Sequence, residues 1–304
     1  MAESMNIMLA GTKDYVLHMF ETLFSVKQFT SRHVDAHIMI DTKRIDLCQF
    51  FFDKNKIKDV DVHLYDSSRL DEVLSSKLRM DFTKMTYARI VLMDLLASSC
   101  DKALWLDADV WQVKHGIEEL YDTDISDYYA AGVEDISVKH FNKVEIDKCK
   151  TDLYINAGVI LVNLKKSQED GILSKMMKCL HKPLSFLVDP SISTQYDQPI
   201  INYYISGKVK AVDPKFNMQR HTMCLQHNED FAKQWGYADE DDMVKNAVFA
   251  HAVGAKPWQQ EYSTWQSFQH KKCLWQSLYW SYISSLVRTS YSVIDKDAFI
   301  VNLG

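Results

Sequence analysis

Short apolar runs alternate with longer segments of mixed polarity along this chain, a pattern that is typical of α/β proteins. Two longer segments, Tyr15–Phe29 and Phe82–Ser98, carry apolar residues at intervals of three and four, which predicts helices. The short runs predict strands, and they lie at Asn6–Ala10, Ala36–Ile40, Val60–Tyr65, Ala103–Leu106, Tyr129–Val133, Gly158–Asn163 and Ala247–His251. We therefore expect an α/β fold with a buried sheet.

The pattern changes towards the end of the chain. Residues 1–260 are predicted to form one domain, and residues 261–304 an aromatic and basic helical tail. Within the tail, Trp265–Arg288 repeats large apolar side chains at helical spacing, with Lys271 and Lys272 beside them. This stripe fits either packing on the main domain or peripheral contact with an anionic membrane, and both interpretations stay open. The acidic stretch Asp239–Asp242 is expected to be a solvated turn.

Composition narrows the possible functions. Hydrophobic residues make up 47% and charged residues 25%, as in an ordinary folded domain, and the net charge of -6 argues against a nucleic-acid partner. The 6 cysteines show no CxxC spacing, so we expect free thiols in a reducing compartment. We find neither a secretory signal nor an apolar run of about 18 residues. The expected location is the cytoplasm, or the inner face of the membrane for a peripheral protein.

The most informative motif is KALWLDADV at residues 102–110. An Asp-x-Asp triplet alone is weak evidence, because the chain contains 5 of them. Asp107 and Asp109 differ from the others because they directly follow a predicted strand. They would lie at the carboxyl edge of the sheet, where open α/β sheets bind ligands. Two carboxylates there can hold a divalent cation whose remaining ligands come from a diphosphate.

A second motif, FAHAVGAKPW at residues 249–258, follows the last predicted strand. His251 would add an imidazole to the two carboxylates, a donor set that suits Mn²⁺ better than Mg²⁺. Gly254 allows the backbone to approach a diphosphate, and Lys256 can contact phosphate as a point charge. Taken singly, His251 also fits a strand-end histidine and Lys256 a solvated lysine. Their common segment favours a binding role.

Three further segments place polar side chains beside predicted elements. Arg89, in the helix before the Asp-x-Asp strand, can neutralise phosphate, although a helix-surface arginine has the same pattern. Asn156 opens a strand beside small residues, where a turn role is the alternative. Asp197 and Gln198 precede a predicted helix in which Pro199 takes the first turn, so Asp197 also fits a helix cap.

These motifs follow one another in a recognisable order: IMLAGTKDY, TYARIVLMDLLASSCDKALWLDADV, AAGVEDI, YINAGVILVNLKK, YDQPIIN and HAVGAKPW. In this order the chain resembles the family 8 retaining glycosyltransferases, which include glycogenin and the bacterial lipooligosaccharide galactosyltransferases. The resemblance covers about residues 5–260. It implies the GT-A nucleotide-sugar-binding fold with a small helical C-terminal appendage. It also implies a UDP-sugar donor and Mn²⁺, with Mg²⁺ as the alternative ion.

The resemblance implies a role for each matching position. Asp107, Asp109 and His251 would bind the metal. The residues near the nucleotide would be Ala10, Thr12, Tyr15, Arg89, Ala108, Gly254 and Lys256, with Tyr15 stacked on uracil. The residues around the transferred sugar would be Asp135, Asn156, Asp197 and Gln198, of which Asp197 and Gln198 are the catalytic candidates.

The expected activity is transfer of galactose or glucose, with retention, from a UDP-sugar to a glycan, glycolipid or glycoprotein. The branch of the family that the chain resembles points to bacterial surface polysaccharide biosynthesis. Two alternatives stay open: a glycogenin-like self-glucosylating initiator, since the chain has 15 Tyr, and a non-catalytic sugar-nucleotide-binding protein. The chain departs from the family pattern at Thr12–Asp14 and at Pro199, where the family carries further acidic and amide groups.

Overall fold

A computed structural model describes residues 3–78, 83–189, 191–192, 196–219 and 229–254. Lys256 and the whole predicted tail, residues 261–304, lie outside the described residues. Among the helices that are described, none is long and apolar enough to cross a bilayer.

The chain alternates strands and helices as its polarity pattern predicts. The strands are β1 Met5–Thr12, β2 Val34–Asp41, β3 Val60–Asp66, β4 Lys102–Leu106, β5 Val110–Gln112, β6 Ala130–Glu134, β7 Ile155–Asn163, β8 Val209–Ala211, β9 Met218–Gln219 and β10 Phe249–His251. The α-helices are α1 Val16–Phe29, α2 Ile45–Lys54, α3 Ser68–Val73, α4 Ala88–Leu96, α5 Ile117–Tyr121, α6 Ile136–Phe141, α7 Lys143–Cys149, α8 Leu164–Glu169, α9 Ile172–His181, α10 Gln198–Ile205, α11 Glu229–Gln234 and α12 Glu240–Lys245. Short 3-10 helices occupy Lys13–Tyr15, Lys84–Tyr87, Ser185–Val188 and Pro214–Phe216.

Seven of the described strands form one sheet in the order β3-β2-β1-β4-β7-β6-β8. The β3-β2-β1-β4 half is parallel, whereas β7 runs antiparallel to both β4 and β6. A smaller sheet has the order β5-β10-β9 and lies next to the end of β4. Because β1 and β4 are parallel neighbours, their carboxyl ends meet at one edge of the main sheet.

The main sheet is covered on both faces. One apolar core packs α4, α9 and α10 against it, and a second core packs α1 and α2 against the opposite face. Burial on both faces explains why β1 and β7 are nearly continuous apolar runs instead of alternating ones. All seven predicted strands are present, with ends that differ from the prediction by at most three residues.

The two predicted helices begin later in the structure than the sequence pattern indicates. Each opens with a 3-10 turn, Lys13–Tyr15 before α1 and Lys84–Tyr87 before α4. Thr83 caps the second turn, because its hydroxyl accepts a hydrogen bond from the backbone N–H of Met85. The prediction of a solvated turn at Asp239–Asp242 is wrong. Asp239 accepts a hydrogen bond from the backbone N–H of Asp242 at 2.8 Å and so caps a helix, α12.

Candidate active site

A cleft of about 400 Å³ opens where β1 and β4 end. Several segments that are far apart in the chain contribute its walls. Of the residues that the sequence analysis selected, the following line it: Ala10, Thr12, Tyr15, Arg89, Asp107, Ala108, Asp109, Asn156, Asp197, Gln198, His251 and Gly254. Their roles stay predictions, but the structure brings them to one place.

The two carboxylates and the imidazole converge at the turn between β4 and β5. The N–H of Asp107 donates to the carbonyl of Gly158 at 2.9 Å, and the Asp107 carbonyl accepts from the N–H of Val110 at 3.0 Å. This turn directs the chain into β5, which pairs with β10 and so brings His251 alongside. His251 Nε2 lies 3.8 Å from Asp107 Oδ2 and 3.6 Å from Asp109 Oδ1.

A hydrogen-bonded row of side chains fixes the orientation of His251. Asp135 accepts from Asn156 Nδ2 at 3.0 Å, which leaves Asn156 Oδ1 as an acceptor for the backbone N–H of Gly158, also at 3.0 Å. Asn217 Nδ2 donates to that same Asn156 oxygen at 2.9 Å. Asn217 Oδ1 is therefore an acceptor, and it lies 2.9 Å from His251 Nδ1.

Each assignment in this row follows from the one before it, because a carboxylate only accepts and a backbone N–H only donates. His251 Nδ1 is consequently the donor in this contact, and Nε2 is the ring nitrogen that faces the two carboxylates. Two carboxylate oxygens and one imidazole nitrogen within 4.8 Å of one another form a donor set that fits a divalent transition metal. The order of ligand and supporting hydrogen bond matches the usual arrangement around metal-binding histidines.

Gly158 allows this arrangement. A Cβ atom at this position would lie 2.1 Å from His251 Cε1 and within 2.8 Å of both ring nitrogens. Any side chain on Gly158 would therefore displace the imidazole. The sequence analysis placed Gly158 at the start of a strand but gave it no role in the site.

Arg89 lies at the start of α4 with only 6% of its surface exposed, so the helix-surface alternative is wrong. Its guanidinium donates to Asp107 Oδ1 at 3.1 Å and to the carbonyl of Ala157, and it lies over the ring of Trp105 at 4.7 Å. Its Nε is 2.7 Å from Asp197 Oδ2. The buried guanidinium of Arg89 therefore contacts both Asp107 and Asp197, which lie on different sides of the cleft.

Asp197 takes the N-cap position of α10, but its side chain makes no capping hydrogen bond. The alternative is thus confirmed for the position but not for the side chain, because the carboxylate turns to Arg89 instead of capping the helix. Burial raises the pKa of Asp197 to about 7; the charge of Arg89 opposes this shift, and the charge of Asp107 adds to it. Asp197 is thus a carboxyl group that changes its protonation near neutral pH.

Gln198 is held from two sides. Its Oε1 accepts from the N–H of Ala157 at 2.7 Å, and its Nε2 donates to Asp135 Oδ2 at 3.0 Å. Asp135 itself caps α6 through the N–H of Val138 at 3.1 Å. Asp135 is not among the residues that line the cleft. It lies behind Asn156 and Gln198, where its carboxylate holds both amides in place.

The opposite wall of the cleft is formed by β1 and by the 3-10 helix Lys13–Tyr15 that comes after it. Tyr15 lies in this turn, and its ring packs edge-on against His18 at 5.5 Å between centroids. A Cβ atom on Gly11 would come within 2.8 Å of Tyr15 Cβ, so the glycine permits this close turn. The result is a partly exposed aromatic ring beside Ala10 and Thr12 on the rim of the cleft.

Sequence reasoning missed three residues that position the site: Trp105, Gly158 and Asn217. Trp105 had a usable signal, because Nε1 of a buried tryptophan needs an acceptor, and it finds one in Asp107 Oδ1 at 2.7 Å. Asn217 had none. It follows the short 3-10 helix Pro214–Phe216, in a segment without apolar periodicity.

Comparisons with known proteins agree with this geometry. Residues 6–262 match the sequence model of glycosyl transferase family 8. A lipopolysaccharide 1,3-galactosyltransferase of Salmonella typhimurium is 29% identical over 207 residues, which cover 65% of this chain and 55% of that enzyme. General stress protein A of Bacillus subtilis is 26% identical, over 66% of this chain and 65% of that protein. This chain thus spans less than two thirds of the length of either relative.

Two solved structures share the fold. The galactosyltransferase LgtC in complex with donor and acceptor sugar analogs superposes with a TM-score of 0.66 at 22% identity, over 90% of this chain and 96% of LgtC. An active-site mutant of LgtC gives a TM-score of 0.67, also at 22% identity, over 91% of this chain and 96% of that one. The predicted GT-A fold is confirmed, apart from the appendage, which lies outside the described residues.

Proposed function

This chain belongs to glycosyl transferase family 8, and we propose that it transfers galactose or glucose from a UDP-sugar to a carbohydrate-bearing acceptor, with retention of the anomeric configuration. The proposal rests on one arrangement of side chains. Asp107, Asp109 and His251 converge in a cleft whose other walls carry Tyr15 on one side and Gln198 on the other. That arrangement offers a metal-binding centre between a site for a planar base and a site for a polar sugar, and a metal ion there would attract the diphosphate.

Asp107, Asp109 and His251 would hold Mn²⁺, or Mg²⁺ as the alternative, together with the donor diphosphate. When bound, such an ion stabilises the negative charge that develops on the departing UDP. Tyr15 offers a ring for stacking on uracil, while Ala10 and Thr12 lie beside it. Gly254 has a φ of +83° and leaves the backbone open to a close approach by the diphosphate.

Asn156, Asp197 and Gln198 form the wall that would face the transferred sugar. Asp135 supports this wall from behind, since it accepts hydrogen bonds from both Asn156 and Gln198. We therefore revise its expected role, from direct contact with the sugar to positioning of the two amides. Lys256 remains a predicted phosphate contact.

The reaction follows from what these side chains can do. The acceptor hydroxyl oxygen bonds to the anomeric carbon on the face from which UDP departs, and the bond between that carbon and the UDP oxygen breaks with its electron pair. The hydroxyl proton passes to a phosphate oxygen of UDP. Gln198 is a poor nucleophile, because an amide oxygen has little basicity and this one already accepts from Ala157. Its role is to position the sugar, with Asp197 beside it.

The names of the relatives support an acceptor of bacterial surface polysaccharide, since lipopolysaccharide galactosyl- and glucosyltransferases are among them. A location in the cytoplasm, or at the inner face of the membrane, belongs to the same proposal. Membrane contact through residues 261–304 stays a prediction.

The test is a donor screen on the intact chain. UDP-galactose, UDP-glucose and their N-acetyl forms are each incubated with Mn²⁺ or with EDTA, with and without a lipopolysaccharide-core oligosaccharide, and released UDP is measured. The proposal expects UDP release that needs the ion, favours one donor and rises with acceptor. A mass gain of the protein on UDP-glucose alone would favour the self-glucosylating alternative. Binding of UDP-sugar without any release would favour the non-catalytic one.

A further inference from the structure

A second group of metal-ligating side chains lies on β2 and β3, away from the cleft. His33, Asp35 and Asp61 bring one imidazole nitrogen and two carboxylate oxygens within 4.8 Å of one another. Across the residues that the structure describes, only this group and the one at the cleft satisfy that condition.

Strand register gathers these side chains on one face of the sheet. In the parallel pair of β2 and β3, Asp35 lies opposite Asp61, and His37 lies opposite His63. Side chains two residues apart on a strand share a face, so Asp35, Asp61 and His63 point to the same side. His33 immediately precedes β2 and reaches the same group of side chains.

The distances suit a tetrahedral metal. His33 Nε2 lies 3.1 Å from Asp61 Oδ2 and 3.7 Å from Asp35 Oδ1. His63 Nε2 lies 3.7 Å from that same Asp35 oxygen, although it is not within 4.8 Å of all three of the other ligand atoms. A tetrahedral ion with ligand bonds of about 2.1 Å separates its ligand atoms by roughly 3.4 Å. Three ligand atoms are therefore already clustered, and rotation of the His63 side chain towards them would complete a site with two imidazoles and two carboxylates.

Two carboxylates directly opposite each other on neighbouring strands repel, and a cation between them removes that repulsion. His37 is not a ligand, because both of its ring nitrogens are engaged: Nδ1 with the Tyr65 hydroxyl at 3.1 Å and Nε2 with Asn6 Oδ1 at 3.3 Å. The His37 ring stacks on His63 at 5.0 Å between centroids.

We propose that His33, Asp35, Asp61 and His63 form a second metal site, which takes Zn²⁺. Two imidazole nitrogens with two carboxylate oxygens suit the tetrahedral preference of Zn²⁺, whereas Mg²⁺ prefers six oxygens. The ion clamps β3, which has no further strand on its outer side among the described residues, to β2. The site lies near the amino end of β2, six residues or roughly 20 Å along the sheet from the cleft edge. It does not depend on the proposed transferase activity.

The test compares Zn²⁺ stoichiometry between variants of the intact chain, measured by calorimetric titration and by equilibrium dialysis. His33→Ala combined with His63→Ala removes both imidazoles of the proposed site. His181→Ala is the matched control, because His181 is an exposed histidine at the end of α9. His251→Ala separates the cleft from the edge site, since it removes the imidazole at the cleft.

We expect the double variant to bind one Zn²⁺ fewer than the wild type and the His181→Ala control. We also expect Zn²⁺ to raise the melting temperature of the His251→Ala variant, and to raise it less when His33 and His63 are replaced as well. Asp61→Asn, which keeps both histidines, should weaken the same binding event at least tenfold. Equal Zn²⁺ stoichiometry and affinity in the wild type, the double variant and the control would overturn the proposal.

Discussion

The Nδ1 atom of His251 lies 2.9 Å from the Oδ1 atom of Asn217, and this contact decides which ring nitrogen faces the two carboxylates. The row continues through Asn156 to Asp135, which also holds Gln198. One set of hydrogen bonds thus links the proposed metal ligand to the proposed sugar-binding amides. A substitution in the middle of this row should therefore affect both the proposed metal ligand and the proposed sugar-binding amides.

Asn217→Ala should weaken Mn²⁺ binding by roughly ten- to a hundredfold, the usual effect of losing a partner that orients a histidine ligand. Asn55→Ala is the control, because Asn55 is equally buried but caps the end of α2 away from the cleft. Free Mn²⁺ is measured by electron paramagnetic resonance, so the result does not depend on turnover. If both variants bind Mn²⁺ like the wild type, Asn217 does not orient His251.

Gly158→Ala should displace the His251 ring, because the new methyl group would overlap Cε1. Mn²⁺ affinity should fall at least as far as in Asn217→Ala. Gly132→Ala is the control from the neighbouring strand β6, where the three atoms nearest to the added carbon all belong to Ile155. That variant should lose stability in urea unfolding but keep its Mn²⁺ affinity. Normal Mn²⁺ binding by Gly158→Ala would contradict the described packing of His251 on β7.

Gln198→Ala should reduce turnover by on the order of a hundredfold while the donor KM changes little, because the positioned amide matters most when charge develops at the sugar. Initial rates over a range of donor concentrations separate kcat from KM. Gln112→Ala is the control, since Gln112 is also a buried glutamine but does not line the cleft. A raised KM with unchanged kcat would instead assign Gln198 to binding of the donor.

The main sheet was predictable because its strands are buried on both faces and therefore form apolar runs that stand out in the sequence. The strands that the pattern missed, β5, β8 and β9, are two or three residues long, too short to show any period. The acidic stretch before α12 was misread for a different reason. A charged segment can form a helix once Asp239 caps it, and polarity alone does not reveal a cap.

The site was predictable where chemistry coincides with a strand end, as for Asp107, Asp109 and His251. It was not predictable where a residue acts only through a distant partner. Asn217 matters because it meets Asn156, 61 residues earlier, and Gly158 matters because β10 lies against β7. Asp135 was selected for its polarity, and the structure places it behind Asn156 and Gln198; nothing in the sequence indicates which side chain covers it.

Asp197 should make the stability of the metal-free protein depend on pH. Its folded pKa of about 7 lies above the value of about 3.9 expected in the unfolded chain, so between these values the folded state binds more protons. Stability should therefore fall as pH rises from about 4 to about 7, by up to about 1.4 kcal/mol per pH unit from this group. Asp197→Asn should remove that part of the slope.

Urea unfolding in EDTA across this pH range measures the difference between wild type and Asp197→Asn. Exposed Asp241 supplies the control, Asp241→Asn, which should keep the wild-type slope. Parallel slopes for wild type and Asp197→Asn would mean that the buried carboxyl stays ionised throughout.

In the proposed function, the Asp-x-Asp pair after β4 holds the ion on which sugar transfer depends. The most direct measurement is Mn²⁺-dependent UDP release, with the best donor and acceptor, by Asp107→Asn, Asp109→Asn and the control Asp241→Asn. Each substitution keeps the size of the side chain and removes one charge. We expect the two cleft variants to fold like the wild type but to lose both Mn²⁺ binding and transfer, while Asp241→Asn retains both. Near-normal Mn²⁺-dependent transfer by either cleft variant would mean that the substituted aspartate does not hold the ion.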